Sequence, residues 1–435
     1  MAKKHDVRSL KLAEEGRRRI EWAEQSMDVL RTVRERFAEE KPFAGVTVGA
    51  CAHVTAETAN LIRTFTAGGA KVFLCASNPL STQDSVAAAL VKFEAVPTYA
   101  VHGADLELYS KHVKAVLGQR PRILIDDGAV LLSLLHADDP AAAENVCVSL
   151  EETASGVRRL RAMERDGVLR VPVVAVNDAA SKRPFENRYG TGQSTLDGIV
   201  RATGILLAGR TVVVAGFGWC GKGVAARARG MGAQVIVTEI EPIRALEATM
   251  EGYRVMPMRD GSRLGDVFVT LSGSVHVLRE EHFQSMRDGA IVCNAGHSDA
   301  EIDLATLQRL AKRVDRAVRD HVDAYRLANG RSILVLAGGR PVNLTAGEGQ
   351  PASVLDMSFA TQALTAEWAL EQAGVGKLGK QRKQHKQRQL GVAVHAVPAS
   401  VENQIAVLKL ASMGIKIDRL TSEQREYMSS WSRGA

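Results

Sequence analysis

The turn Gly216-Phe-Gly218-Trp-Cys-Gly221 lies between a β-branched run, 210–215, and a helical stretch reaching Gly230. The next apolar run, 234–238, is followed by an acid, Glu239. That context is what a dinucleotide site needs. The first glycine permits the tight turn, the second lets backbone approach a pyrophosphate, and the third allows close helix packing. The helix N-terminus behind them offers amide donors and partial positive charge. Glu239 would accept hydrogen bonds from an adenosine ribose and repel a 2′-phosphate, which favours NAD over NADP. Arg244 lies close enough to soften that preference. The bland alternative is a structural glycine-rich turn.

A second set of polar residues follows four other apolar runs. His53 and Thr55 follow the first, Asn78 and Ser81 the second, Asp126 and Asp127 the third, Asn177 and Asp178 the fourth. In open α/β sheets, ligands bind beyond the carboxyl ends of the strands. The same residue types also cap helices and make turns, so one such position would carry little weight. Four strand ends together read as the rim of a pocket.

The elements that must position these residues are legible as alternation. Buried strands are expected at 46–51, 71–75, 122–125 and 171–176, with helical stretches between them. A second α/β unit starts near 190, with strands at 210–215, 234–238, 267–270, 290–293 and 332–336. A helix is expected over about 9–38 and another after 350. This is an α/β protein built on mainly parallel sheets.

With 46% hydrophobic and 24% charged residues, the chain is neither disordered nor fibrous. No apolar run is long enough to span a bilayer, and the basic start of the chain has no apolar segment behind it, so no secretory signal is expected. Cys51, Cys75, Cys147, Cys220 and Cys293 form no CxxC or Cys/His cluster, which points away from a metal site and toward a reducing cytoplasm. Of the net charge of +7, six positive charges fall within the insert 377–388. The basicity belongs to one loop rather than to a face for nucleic acid.

The run Asn177-Asp-Ala-Ala-Ser-Lys182-Arg-Pro-Phe-Glu186-Asn187-Arg-Tyr-Gly-Thr191, with the glycine turn after it, resembles S-adenosyl-L-homocysteine hydrolases. His53-Val-Thr55-Ala-Glu57-Thr, Asn78-Pro-Leu-Ser81-Thr-Gln-Asp84, Asp126-Asp127-Gly, Glu151-Glu152-Thr, Asn294-Ala-Gly-His297 and Val342-Asn343-Leu match that family in order. The likeness covers nearly the whole chain. It implies a split substrate-binding α/β domain (1–188, completed by 347–392), a Rossmann NAD-binding domain (189–346) and a C-terminal oligomerisation segment (393–435). It also implies a homotetramer or dimer, of the short form lacking a Lys/Tyr tail.

The chemistry implied is a temporary ketone. Tightly bound NAD takes hydride from C3′, which acidifies the C4′ proton. Removal of that proton expels homocysteine from C5′, water adds to the enone, and the hydride returns. By resemblance, Lys182 is the acid/base at the 3′-hydroxyl, which calls for a lowered pKa. Asp127 and His53 serve C4′ proton removal and protonation of the leaving group or activation of water, with His297 near the same step. Asn177, Glu152 and Asn187 hold the ribose and position the nicotinamide; Glu186 also faces the ribose. Thr55 and Glu57 receive the base, with Ser81 and Gln350 at the substrate. Thr153, Ser155, Glu239, Asn294 and Asn343 contact NAD.

Some positions depart from the family pattern. Glu186 stands for an aspartate, Gln350 for a histidine, Glu348 and Ala52 for apolar residues, the latter leaving space over the base. Thr191 stands for a cysteine, and Ala154 also differs from some members. An ordinary hydrolase, a paralogue applying the same cycle to another nucleoside, and a non-catalytic NAD-binding regulator all stay open at this point. The intact acid/base set favours the first.

Overall fold

The computed structural model describes residues 4–296, 299–375 and 390–431. In chain order, the first seven strands are β1 (Asp6–Val7), β2 (Thr47–Ala52), β3 (Lys71–Ala76), β4 (Thr98–Ala100), β5 (Ile123–Asp126), β6 (Val148–Glu151) and β7 (Val173–Ala175). Then come β8 (Thr211–Ala215), β9 (Gln234–Thr238), β10 (Arg254–Val255), β11 (Val267–Thr270), β12 (Ala290–Asn294), β13 (Ala311–Arg319), β14 (Val322–Leu327), β15 (Ser332–Leu336) and β16 (Val394–His395). They form two eight-stranded sheets, ordered β1-β4-β3-β2-β5-β6-β7-β16 and β10-β9-β8-β11-β12-β15-β14-β13. The first is parallel throughout; in the second, β14 runs antiparallel to both β15 and β13.

Strands such as Thr211-Val-Val-Val-Ala are nearly continuous apolar runs because helices cover both faces of a parallel sheet. On one face of the first sheet pack helices Ala56–Ala67, Asp84–Lys92 and Ala352–Gln372, in a core where Phe43 meets Phe37 edge-on and Phe65 at a tilt. The other face carries Leu106–Leu117, Val130–Asp138 and Ala154–Arg165 against Phe73 and Leu124. Burying each such phenylalanine stabilises the fold by about 1.5–3 kcal/mol.

The long N-terminal helix expected over 9–38 is two helices, Ala13–Glu24 and Asp28–Glu40. Their break has a distant cause. The fully buried Asp356 carboxylate accepts the Val29 and Leu30 amides at 3.2 and 2.8 Å, and so caps the second helix from outside the segment. Lys409 Nζ reaches the same carboxylate at 2.8 Å. Beyond residue 350 the chain thus returns to the first sheet, where β16 pairs with β7. The β13–β14 hairpin was not expected; its outer strand is charged and mostly exposed, as edge strands often are. The basic insert, 377–388, falls outside the described residues.

Candidate active site

Helix caps bring the site residues to the strand ends. Thr55 caps Ala56–Ala67 by accepting the Thr58 amide, and Thr153 caps Ala154–Arg165 by accepting the Gly156 amide. After β5 the chain turns through Gly128 at φ 92° and Ala129 at φ 56°. That left-handed pair is held by Glu151, whose carboxylate accepts both amides, at 3.0 and 2.7 Å. Asp126 is equally committed, taking the amides of Val130, Leu131 and Leu132. In each acidic pair, therefore, one member builds the turn, and the other, Asp127 or Glu152, faces a cavity.

That cavity has a volume of about 290 Å³ and lies between the two sheets. From the first sheet come His53, Thr55, Glu57, Asp127, Glu152, Thr153, Ser155, Asn177, Lys182, Glu186 and Asn187; Gln350 comes from the returning chain. From the second come Leu271, Ser272, Gly273, Ala295 and Gly296, with Asn343 after β15. Glu301 shapes this wall by accepting the Ser272 and Gly273 amides, both at 2.9 Å. A Cβ on Gly296 would sit 2.1 Å from its Oε1, so a larger residue there would push this carboxylate off the two amides.

Lys182 is 3% exposed. Its Nζ donates to Glu186 Oε1 at 2.9 Å and to the Glu152 carbonyl at 3.0 Å. The role implied by the resemblance calls for a lowered pKa, and the structure corrects this. Burial does act to lower it, but the carboxylates of Glu186, Glu152 and Asp127 outweigh burial, and the pKa is raised. Lys182 is an ammonium here. Glu152 is shifted the opposite way in charge: burial, then the Asp127 charge, push its carboxyl up to about 8. Glu186 Oε2 is buried with no hydrogen-bond partner among the described residues.

His53 Nε2 lies 3.2 Å from Asp127 Oδ2, which also accepts from Ser77 Oγ at 2.8 Å. At the other end of the cavity, burial raises the Glu57 carboxyl. Two of the departures noted above bond to each other, Gln350 Nε2 donating to Thr191 Oγ1 at 3.2 Å. A third, Glu348, pairs with Arg19. Ala52, expected to open space over a base, does not line the cavity; it ends β2 at 3% exposure, opposite Ala76.

Other expected residues lie elsewhere. Ser81 sits behind His53 rather than in the cavity. Asn294 is fully buried, its Oδ1 accepting the Gly296 amide at 2.8 Å, so it shapes the wall without lining it. His297 falls outside the described residues. Gly216, Gly218, Gly221 and Glu239 stand past the cavity, at the carboxyl ends of β8 and β9. Sequence reasoning missed Arg158, whose guanidinium bonds the Gly273 carbonyl at 2.8 Å, and Cys220, whose thiol burial pushes up to about 11. It also missed Gln362, which donates to Glu152 from the apolar helix Ala352–Gln372. No spacing rule links that helix to the site.

The glycine turn fits a dinucleotide. Gly216 adopts φ 106°, and a Cβ on Gly221 would lie 1.9 Å from the Gly216 carbonyl oxygen. Gly218 has open space, its nearest neighbour being Arg244 at 3.9 Å. It opens helix Trp219–Gly230, whose N-terminus no side chain caps, which leaves amide donors for an anion. Glu239 orients the turn, accepting the Phe217 amide at 2.7 Å. Asn343 Oδ1 is buried without a partner among the described residues.

Comparison with known proteins agrees with this geometry. Residues 4–148 match the family S-adenosyl-L-homocysteine hydrolase, and residues 187–349 match that family's NAD binding domain. The chain is 56% identical over 429 residues to the adenosylhomocysteinase of Aquifex aeolicus, covering 99% of each chain. It is 56% identical over 431 residues to that of Thermosynechococcus vestitus, covering 99% of this chain and 97% of the relative. The S-inosyl-L-homocysteine hydrolase of Methanopyrus kandleri is 49% identical over 429 residues, covering 98% of this chain and 97% of the relative.

Proposed function

Because the chain belongs to the S-adenosyl-L-homocysteine hydrolase family, we propose that it catalyses NAD-dependent, reversible hydrolysis of S-adenosyl-L-homocysteine to adenosine and L-homocysteine. The observation that carries this is the convergence, in one cavity between the two sheets, of a buried Lys182–Glu186 pair and a His53–Asp127 pair. Hydrolysis alone would need the second pair. A lysine poised at a hydroxyl, facing the wall that follows the glycine turn, belongs to alcohol oxidation.

NAD, when bound, would supply the hydride acceptor for C3′ and, in its reduced form, the hydride donor for the closing step. Its pyrophosphate would rest on the 216–221 turn and its adenosine ribose on Glu239. Asn343, Thr153, Ser155 and Asn187 would hold the nicotinamide end.

The chain's own groups handle the protons. Lys182 donates a hydrogen bond to the 3′-oxygen, and Glu186 takes up the ammonium proton as the amine receives that of the 3′-hydroxyl. Glu152, protonated near neutrality, donates to the ribose, while Asn177 holds the ring with Asn187. Asp127 receives the C4′ proton and His53 protonates the departing sulfur; in the second half they work in reverse on water. Thr55, Glu57 and Gln350 take the base, Glu57 accepting from the 6-amino group.

Domain boundaries follow the same reading: 1–188 with 347–392 for substrate, 189–346 for NAD, 393–435 for assembly. The last segment leaves Val407, Met413, Ile417 and Met428 more than half exposed, and its helix Ser422–Ser429 buries nothing. Apolar surface of that kind suits a homodimer or homotetramer. Among the described residues no helix is long and apolar enough to cross a membrane, and all five cysteines are free. Both fit a cytoplasmic enzyme.

The test offers the NAD-loaded protein S-adenosyl- and S-inosyl-L-homocysteine separately, following thiol and nucleoside together. Faster, stoichiometric release of homocysteine and adenosine from the first supports the reading. Release from the inosyl compound alone would overturn the substrate assignment.

A further inference from the structure

Ser81 lies outside the cavity but against its histidine. The residue is 6% exposed and closes a short turn, Pro79–Ser81. Its Oγ donates to the Asn78 carbonyl at 2.9 Å and lies 2.5 Å from His53 Nδ1. A hydroxyl has one proton. With that proton on the carbonyl, Ser81 can only accept from the ring, so Nδ1 carries hydrogen. The opposite nitrogen, Nε2, then meets Asp127 Oδ2 at 3.2 Å. Two lone pairs would repel at that distance, so one proton must lie between them.

We infer that Ser81 is a positioning residue for the elimination and water-addition steps: it fixes the His53 tautomer, so that the His53–Asp127 pair holds one transferable proton on the Nε2 side. The inference rests on the function proposed above.

The proton count closes. In elimination the C4′–H bond breaks and its electrons form the C4′=C5′ bond as C5′–S breaks. The C4′ proton goes to Asp127, and the proton on His53 Nε2 goes to the sulfur. The pair starts and ends with one proton. Water addition reverses the order: the pair takes a proton from water as C5′–O forms and returns one to C4′. At no point need the ring turn over, because Nδ1–H stays on Ser81.

The experiment uses the NAD-loaded full chain and the variants Ser81→Ala and Ser81→Thr. One assay follows nicotinamide reduction on adding adenosine, which reads 3′-oxidation; the other follows thiol release from S-adenosyl-L-homocysteine at saturation. Ser81→Ala should lower kcat for thiol release about 10- to 100-fold, with KM and nicotinamide reduction within about twofold of wild type. Ser81→Thr, which keeps the hydroxyl, should recover most of the rate. Thiol release unchanged in Ser81→Ala overturns the inference. So does parallel loss of both assays, or a folded Ser81→Thr that recovers nothing. A wild-type protein that oxidises adenosine yet releases no thiol would instead overturn the proposed function itself.

Discussion

Lys182 Nζ and Glu186 Oε1 lie 2.9 Å apart, four residues apart in sequence, with side chains only 3% and 9% exposed. Breaking such a buried pair from one side strands a charge. It also removes the group placed at the 3′-hydroxyl. Lys182→Ala should therefore lower nicotinamide reduction by adenosine about 100- to 10,000-fold. Retention of the wild-type rate would remove Lys182 from the oxidation step.

The charge on Glu186 favours the ammonium of Lys182, so neutralising it should let the lysine deprotonate more easily. For Glu186→Gln, the limb of 3′-oxidation that rises with pH should move to lower pH, even if the maximal rate falls. Stopped-flow pH profiles of nicotinamide reduction check this. A limb moving to higher pH would contradict the assignment.

Glu152 gives a stability signature. Its carboxyl titrates near 8 in the folded protein and near 4.5 when free. Between those values the folded state keeps a proton that the unfolded chain has released, so stability falls as pH rises. The contribution is complete below 4.5 and gone by about 8. Glu152→Gln has no such proton, so its melting temperature relative to wild type should climb across that window. A difference independent of pH would show that the carboxyl is not held neutral.

The glycine turn separates folding from cofactor binding. A Cβ at Gly221 collides with the Gly216 carbonyl, whereas one at Gly218 meets only a guanidinium at van der Waals distance. Gly221→Ala should destabilise the protein by about 1–3 kcal/mol. Gly218→Ala should melt near wild type yet purify with less NAD. Melting scans and the cofactor content after dialysis distinguish the two. Equal NAD content in Gly218→Ala would move the pyrophosphate off this turn.

Most inner strands of both sheets were legible because burial on both faces makes them apolar runs, as in 71–75 and 211–215; β4 and the four-residue β6, between β5 and β7, were not. Nor were the short strands β1, β10 and β16. Val394 is in a strand because Val173 lies beside it, a pairing that no local pattern announces. The helix break at 25–27 is likewise set by Asp356, far along the chain.

The same division runs through the site. His53, Asp127 and Lys182 could be named from motif and position at strand ends. The charge state of Lys182 could not, because it depends on the Glu186 carboxylate lying 2.9 Å from its ammonium inside the fold. Nor could the direction of Ser81, since a residue in a substrate-like loop can face either the cavity or the histidine behind it. Asp126 and Asp127 are adjacent and chemically identical; only the amides of 130–132 distinguish the structural one.

The most direct test of an oxidation hidden inside a hydrolysis is a single-turnover mix of the NAD-loaded protein with S-adenosyl-L-homocysteine. Reduced-nicotinamide absorbance should rise before free thiol appears and decay as adenosine is released, with no net cofactor consumed. Thiol and adenosine appearing without any transient reduction would contradict the mechanism and leave a direct displacement at C5′.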